Sequence, residues 1–165
     1  MKLYTAKTVL RNVHLILKYT LFAATLAGAA GAVNAAELTI TVSGVQQTKG
    51  NLYIRVYAAD SQWLSQKADG PRATEVIDLA ASDLTENKTG EVTRTFQLPI
   101  GTYAATAIQD INKNGELDRD WRGVPQEPTG TTGAGEKREG PPEFAKSKFE
   151  LGSEGSAKTI RLSEY

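Results

Sequence analysis

The sequence predicts an all-β protein: a single antiparallel β-sandwich of about seven strands carrying one long irregular loop. Three observations lead there. Short stretches of alternating apolar and polar residues recur, turns rich in Gly, Pro and Asn separate them, and helical periodicity is almost absent. The sandwich belongs to residues 36–165, because residues 1–35 read as a secretory signal peptide. Lys2, Lys7, Arg11 and Lys18 form a basic lead, an apolar run follows from Leu21 to Val33, and Val33-Asn34-Ala35 offers small residues for cleavage. That run falls short of the roughly 20 residues a bilayer span needs. The expected product is periplasmic or secreted, with no stable membrane insertion.

Taken in order, Leu38, Ile40 and Val42 alternate with Thr39, Thr41 and Ser43, as in a strand with one buried face. Leu52, Ile54 and Val56 alternate with Tyr53, Arg55 and Tyr57, so residues 38–58 are expected to form an antiparallel hairpin. Ser61 is placed to cap a short helix through Trp63, Leu64 and Lys67, with Trp63 plugging one end of the core. A weaker strand is expected over 73–79 and a firmer one over 92–98. Residues 103–108 (YAATAI) are small or apolar on both faces, which suits a central strand covered on each side. Phe144, Phe149 and Leu151 resume a strand, and residues 157–162 complete a last hairpin across Gly152 and Gly155.

Between these lies the long loop, residues 110–142, which shows no periodicity. Asp110, Asn112, Asn114, the main-chain carbonyl of Glu116 and Asp118 stand where an EF-hand-type loop turns oxygens inward, and Gly115 stands at its sharp bend. Trp121 occupies the position of the usual bidentate Glu. Another carboxylate must complete the set, either Asp120 or Glu127; Glu127 is favoured because Gly123 and Pro125 can fold it back. The expected ion is calcium at weak affinity, roughly 10⁻⁴–10⁻³ M. The bland alternative is an Asx-rich turn without metal.

Composition narrows the chemistry. The chain has no Cys, and its one His, His14, lies in the leader. Imidazole-based catalysis and the usual zinc sites are therefore not expected of the exported domain. Removing the basic leader leaves an acidic excess, which argues against nucleic-acid binding.

The stretch FQLPIGTYAATAIQD running into DINKNGELD, then RGVPQEPTG, PPEFAKSKFEL and more diffusely GNLYIRVY, resembles an exported bacterial family, domain of unknown function twenty-one forty-one. The resemblance covers most of residues 36–165 and implies an immunoglobulin/transthyretin-like sandwich, with no established activity. Asp110, Asn112, Asn114, Gly115, Asp118, Gly123, Pro125, Glu127 and Gly130 match the family's signature loop. The family usually has His where this chain has Gln109, and Ser where it has Thr131-Thr132.

The expected function is a monomeric, non-enzymatic module with a calcium-ordered loop, structural or binding an unknown protein or glycan. One alternative is a carbohydrate-binding module stacking sugar on Trp121, although an aromatic beside such a loop more often packs beneath it. The other is a glycoside hydrolase using a carboxylate pair from Asp110, Asp118, Asp120 and Glu127.

Overall fold

A computed structural model describes residues 34–46, 49–80, 90–133 and 140–164. Apart from Asn34 and Ala35, the expected leader lies outside these residues. Strands β1 (Ala35–Ser43), β2 (Asn51–Ala58), β3 (Ala73–Asp78), β4 (Glu91–Pro99), β5 (Gly101–Asp110), β6 (Thr129–Thr131), β7 (Phe149–Leu151) and β8 (Ser156–Arg161) are joined by one short helix, α1 (Phe144–Ser147). They form two sheets. One has the order β4-β1-β8; in the other β3-β2-β5 is extended by β6 and β7, which share the far edge of β5. β6 pairs with Thr106–Ile108, and β7 pairs with Gly101–Tyr103.

The sandwich core forms between the sheets. Leu38, Ile40 and Val42 of β1 meet Leu52, Ile54 and Val56 of β2 in one apolar cluster, with Ala105 and Ala107 of β5 beside them. Alternation puts all of these on inward faces. β5 is buried from Tyr103 to Asp110 without a break: residues 103–108 as their small or apolar side chains predict, and the polar Gln109 and Asp110 with them.

The all-β sandwich is the predicted fold, but its pairing differs. β1 and β2 do not form a hairpin: β1 lies against β4 (Leu38 opposite Phe96) and β8, in the other sheet from β2. Alternation identifies a buried face without identifying the neighbour, so two consecutive inward-facing strands fit opposite sheets as well as one hairpin. β7 and β8 likewise separate into different sheets, with only the Gly152–Gly155 bridge between them. The β1–β8 pair is parallel, a departure from the antiparallel expectation. No helix forms at Ser61, whose hydroxyl instead accepts the Ala58 N–H in a turn. Phe144 belongs to α1 rather than to a strand, and β6 interrupts the expected long loop.

The two outer faces differ. On the three-stranded sheet, Thr39 and Thr41 lie across from Thr95 and Thr93, with the Thr41–Thr93 hydroxyls 3.0 Å apart in solvent. On the larger sheet, Tyr57, Ala104 and Ile108 are buried yet stand outside the sandwich core. Loops cover them. Trp63, expected over the core, packs edge-on against Tyr57 (5.1 Å) and Phe144 (5.5 Å) on this outer side. Its indole N–H donates to the Pro142 carbonyl at 2.7 Å. Thr132 anchors the same side: its hydroxyl accepts the Ala105 N–H at 3.0 Å and donates to the Ser147 carbonyl at 2.7 Å. Gly130 permits β6 to lie close to β8, since a Cβ there would come 2.3 Å from the Arg161 carbonyl oxygen.

Candidate functional site

β5 delivers the chain to Asp110 at the sheet's end, where the carboxylate is 1% exposed. Asp110 Oδ1 accepts the Asn114 N–H at 3.2 Å, and Oδ2 accepts the Gly115 N–H at 2.8 Å. This closes the loop back on its first residue. Gly115 makes the bend with φ 85°, a conformation that a side chain disfavours. Asn112 and Asn114 each use Oδ1 to accept a backbone N–H, from Asn114 (3.0 Å) and Glu116 (2.9 Å). Their Nδ2 groups both donate to Asp118, at 2.6 and 3.0 Å, one to each carboxylate oxygen. Asp110, Asn112, Asn114 and Asp118 are thus linked in one network, with Glu116 held through its N–H.

Glu127 joins the network from the far limb. Its Oε1 accepts the Ile111 N–H at 2.8 Å, and Oε2 accepts the Asp118 N–H at 3.2 Å. Asp120 goes elsewhere. It accepts the N–H groups of Arg122 and Val124, both at 2.9 Å, and pairs with the Arg122 guanidinium at 3.0 Å. The Val124 N–H, followed by Arg122, holds the Asp120 carboxyl below its ordinary value. Trp121 rides at the tip of this turn and is 93% exposed, not packed beneath the loop, because residues 120–123 close through the Gly123 N–H to the Asp120 carbonyl. The Arg122 guanidinium lies 5.7 Å from its ring.

The oxygens gathered here are hard donors of the kind calcium takes. A cation would require Asn112 and Asn114 to turn their amide oxygens inward, releasing the N–H groups those oxygens now accept. Among the described residues, no three Asp, Glu, His or Cys side chains are grouped closely enough to make a ready metal cluster. None of the ion pairs among the described residues involves Asp110, Asp118 or Glu127.

A second feature lies beside the loop. Over the outer face of the larger sheet is a cavity of about 440 Å³, floored by Tyr57, Thr106 and Ile108. Its walls include Leu64 from the β2–β3 connection, Leu117 and Val124 from the long loop, and Pro142 before α1. Thr106 is 4% exposed, and its hydroxyl neighbours the Tyr57 phenol without a well-formed hydrogen bond in the protein. Directly opposite it on β2 is Arg55, also 4% exposed, whose Nη1 is unpartnered. The guanidinium lies 4.6 Å from the Tyr53 ring centroid. Burial lowers the Arg55 pKa, opposed by nearby Tyr57, Tyr53 and Asp110. Burial raises that of Tyr57, opposed by Thr106 and Arg55.

Neither Arg55 nor Thr106 stands out in the sequence. Alternation assigns Arg55 to the face away from the core, ordinarily the wet face. The available signal was β5 itself, small and apolar on both sides, because a neighbour of a doubly covered strand shares its cover.

No curated protein and no solved structure matches the chain. A family described as "Uncharacterized protein conserved in bacteria (DUF2141)" matches residues 40–160, a stretch that runs from β1 to β8 and takes in the whole Asp110–Glu127 network. The chain belongs to that family.

Proposed function

We propose that the protein is an exported, monomeric, non-enzymatic binding module whose Asp110–Asp118 loop takes one calcium ion at weak affinity. Asp110, Asn112, Asn114, the Glu116 carbonyl and Asp118 supply ligands, with Glu127 as the further carboxylate. The observation that carries this reading is the single hydrogen-bonded network joining Asp110, Asn112, Asn114, Asp118 and Glu127, whose carboxylates enter no ion pair among the described residues. A cation would neutralise these carboxylates and fix the wall of the neighbouring cavity. Asp110 and Glu127 also hold both oxygens on backbone N–H groups, which favours a structural over a proton-transferring role.

The test is calcium titration by calorimetry, with thermal melts in calcium and in chelator. At ten times Kd the expected stabilisation is about 1.4 kcal/mol, a Tm rise of about 4 °C, and Asp110→Ala abolishes both heat and shift. No heat at millimolar calcium would leave a loop closed by its own hydrogen bonds. The exposure of Trp121 favours a second reading, sugar stacking on its free face. Glycan binding lost in Trp121→Ala, and indifferent to calcium, would select it.

A further inference from the structure

We propose that the cavity over the outer face of the larger sheet binds a compact apolar molecule carrying one acidic group, with the apolar body inside the cavity and the acid at Arg119 on its solvent side. This rests on the binding-module reading, for which it names a ligand class, but not on the calcium site.

The walls are fixed by bonds between separate segments. Leu64, one wall residue, has φ 65°, a left-handed conformation that side chains disfavour. Its neighbour Ser65 is held twice: its N–H donates to the Gln62 carbonyl at 3.0 Å, and its carbonyl accepts the Tyr57 hydroxyl at 2.8 Å. The Leu117 N–H donates to Gln66 Oε1 at 2.9 Å, tying the long loop to the β2–β3 connection, and both residues line the cavity. The turn bearing Arg122, Gly123 and Val124 closes through two 2.9 Å bonds, Gly123 N–H to the Asp120 carbonyl and Asp120 N–H to the Val124 carbonyl. A strained residue held in a cavity wall by its surroundings points to a preformed site.

Charge selects the occupant. The lining contains no Asp or Glu, while Arg119 and Arg122 both belong to it. Arg122 is already compensated by Asp120 at 3.0 Å. Arg119 enters none of the ion pairs among the described residues; its Nη1 donates to the neutral Gly123 carbonyl at 2.9 Å. Gly123 itself lines the cavity, so this bond holds the guanidinium at the wall and leaves its other N–H groups for an oxyanion. Leu64, Ile108, Leu117, Val124 and Pro142 make the lining largely apolar, and about 440 Å³ lies within the range of small-ligand sites. An acid without an apolar body would leave those walls wet, and an apolar body without an acid would leave Arg119 uncompensated. Because Arg119 is exposed, its effect on affinity is expected to be severalfold rather than all-or-none.

The probe is anilinonaphthalene sulfonate, with phenylnaphthylamine as the same ring system lacking the acid. Both are titrated by fluorescence in chelator, and methyl NMR shifts locate the bound probe. The expected result is one saturable sulfonate site that shifts the methyls of Leu64, Ile108, Leu117 and Val124, with the neutral amine at least threefold weaker. Arg119→Gln is expected to weaken the sulfonate at least threefold and to leave the amine unchanged. Val124→Trp, which fills part of the cavity, should weaken both at least tenfold. Should Val124→Trp fail to fold, the methyl shifts and Arg119→Gln decide the matter. No saturable binding, methyl shifts confined to other residues, an amine that binds as tightly as the sulfonate, or undiminished sulfonate binding to Arg119→Gln would overturn the site. None of those results bears on the calcium titration, which reads the loop alone.

Discussion

Glu127 joins the two limbs of the long loop through single backbone N–H groups, one at Ile111 and one at Asp118, while only 5% exposed. In Glu127→Gln one of those acceptors becomes an NH2 facing an N–H, so a buried donor is left without an acceptor. The expected cost is about 1–3 kcal/mol, seen as a lower urea midpoint with unchanged slope, and measured in chelator so that metal does not enter. At this scale the sequence is informative where the relevant neighbours are close along the chain. Asp110, Asn112, Asn114 and Gly115 disclose their turn because each bonds within a few residues. Glu127 and Asp120 are not separated by spacing alone. What separates them is the tight turn that commits Asp120 to Val124 and Arg122. Arg55 is hidden for the opposite reason, since its burial depends on loops distant in sequence.

Among the elements, β5 positions nearly everything of interest, and Gln109 ties it to the other sheet's strand through the β1–β2 connection. The Gln109 side chain is fully buried; Oε1 accepts the Gln46 N–H at 2.9 Å, and Nε2 donates to the Gln46 and Lys49 carbonyls at 2.7 and 2.9 Å. The position demands a donor and an acceptor together. A neutral imidazole offers both. Gln109→His is therefore expected to fold near pH 8. Its imidazolium would present a second donor to the Gln46 N–H, which depresses the folded-state pKa. Stability should then fall as pH drops below about 6.5, the unfolded value, and melts from pH 8 to 5 would check it against an unchanged parent. Strand existence was legible from Leu38–Val42 and Leu52–Val56, whereas pairing was not, because β1 takes both partners from distant segments. β6 escaped notice because three residues, Thr129–Thr131, are too few to display a period.

For the whole molecule, the sandwich has one wet outer face and one covered one, and the covered one holds Tyr57. Burial raises the phenol pKa of Tyr57, and of Tyr103 on the core side. Both phenols donate, to the Ser65 and Pro99 carbonyls at 2.8 Å, and an ionised oxygen cannot. The unfolded chain ionises from about pH 10 while the folded chain retains its protons, so stability is expected to fall as pH rises past that value. The slope is up to about 1.4 kcal/mol per pH unit for each tyrosine, measured as urea midpoints from pH 9 to 11; Tyr57→Phe should remove its share. The parallel pairing of β1 with β8 has a further, kinetic consequence. Leu38 lies opposite Ser156 and Val42 opposite Ile160, so the first of the described strands is flanked by the last of them. During synthesis β1 waits beside a vacant edge, and the smaller sheet closes only once β8 has emerged. Such long-range closure makes for slow folding and leaves the sheet edge open to other strands for longer.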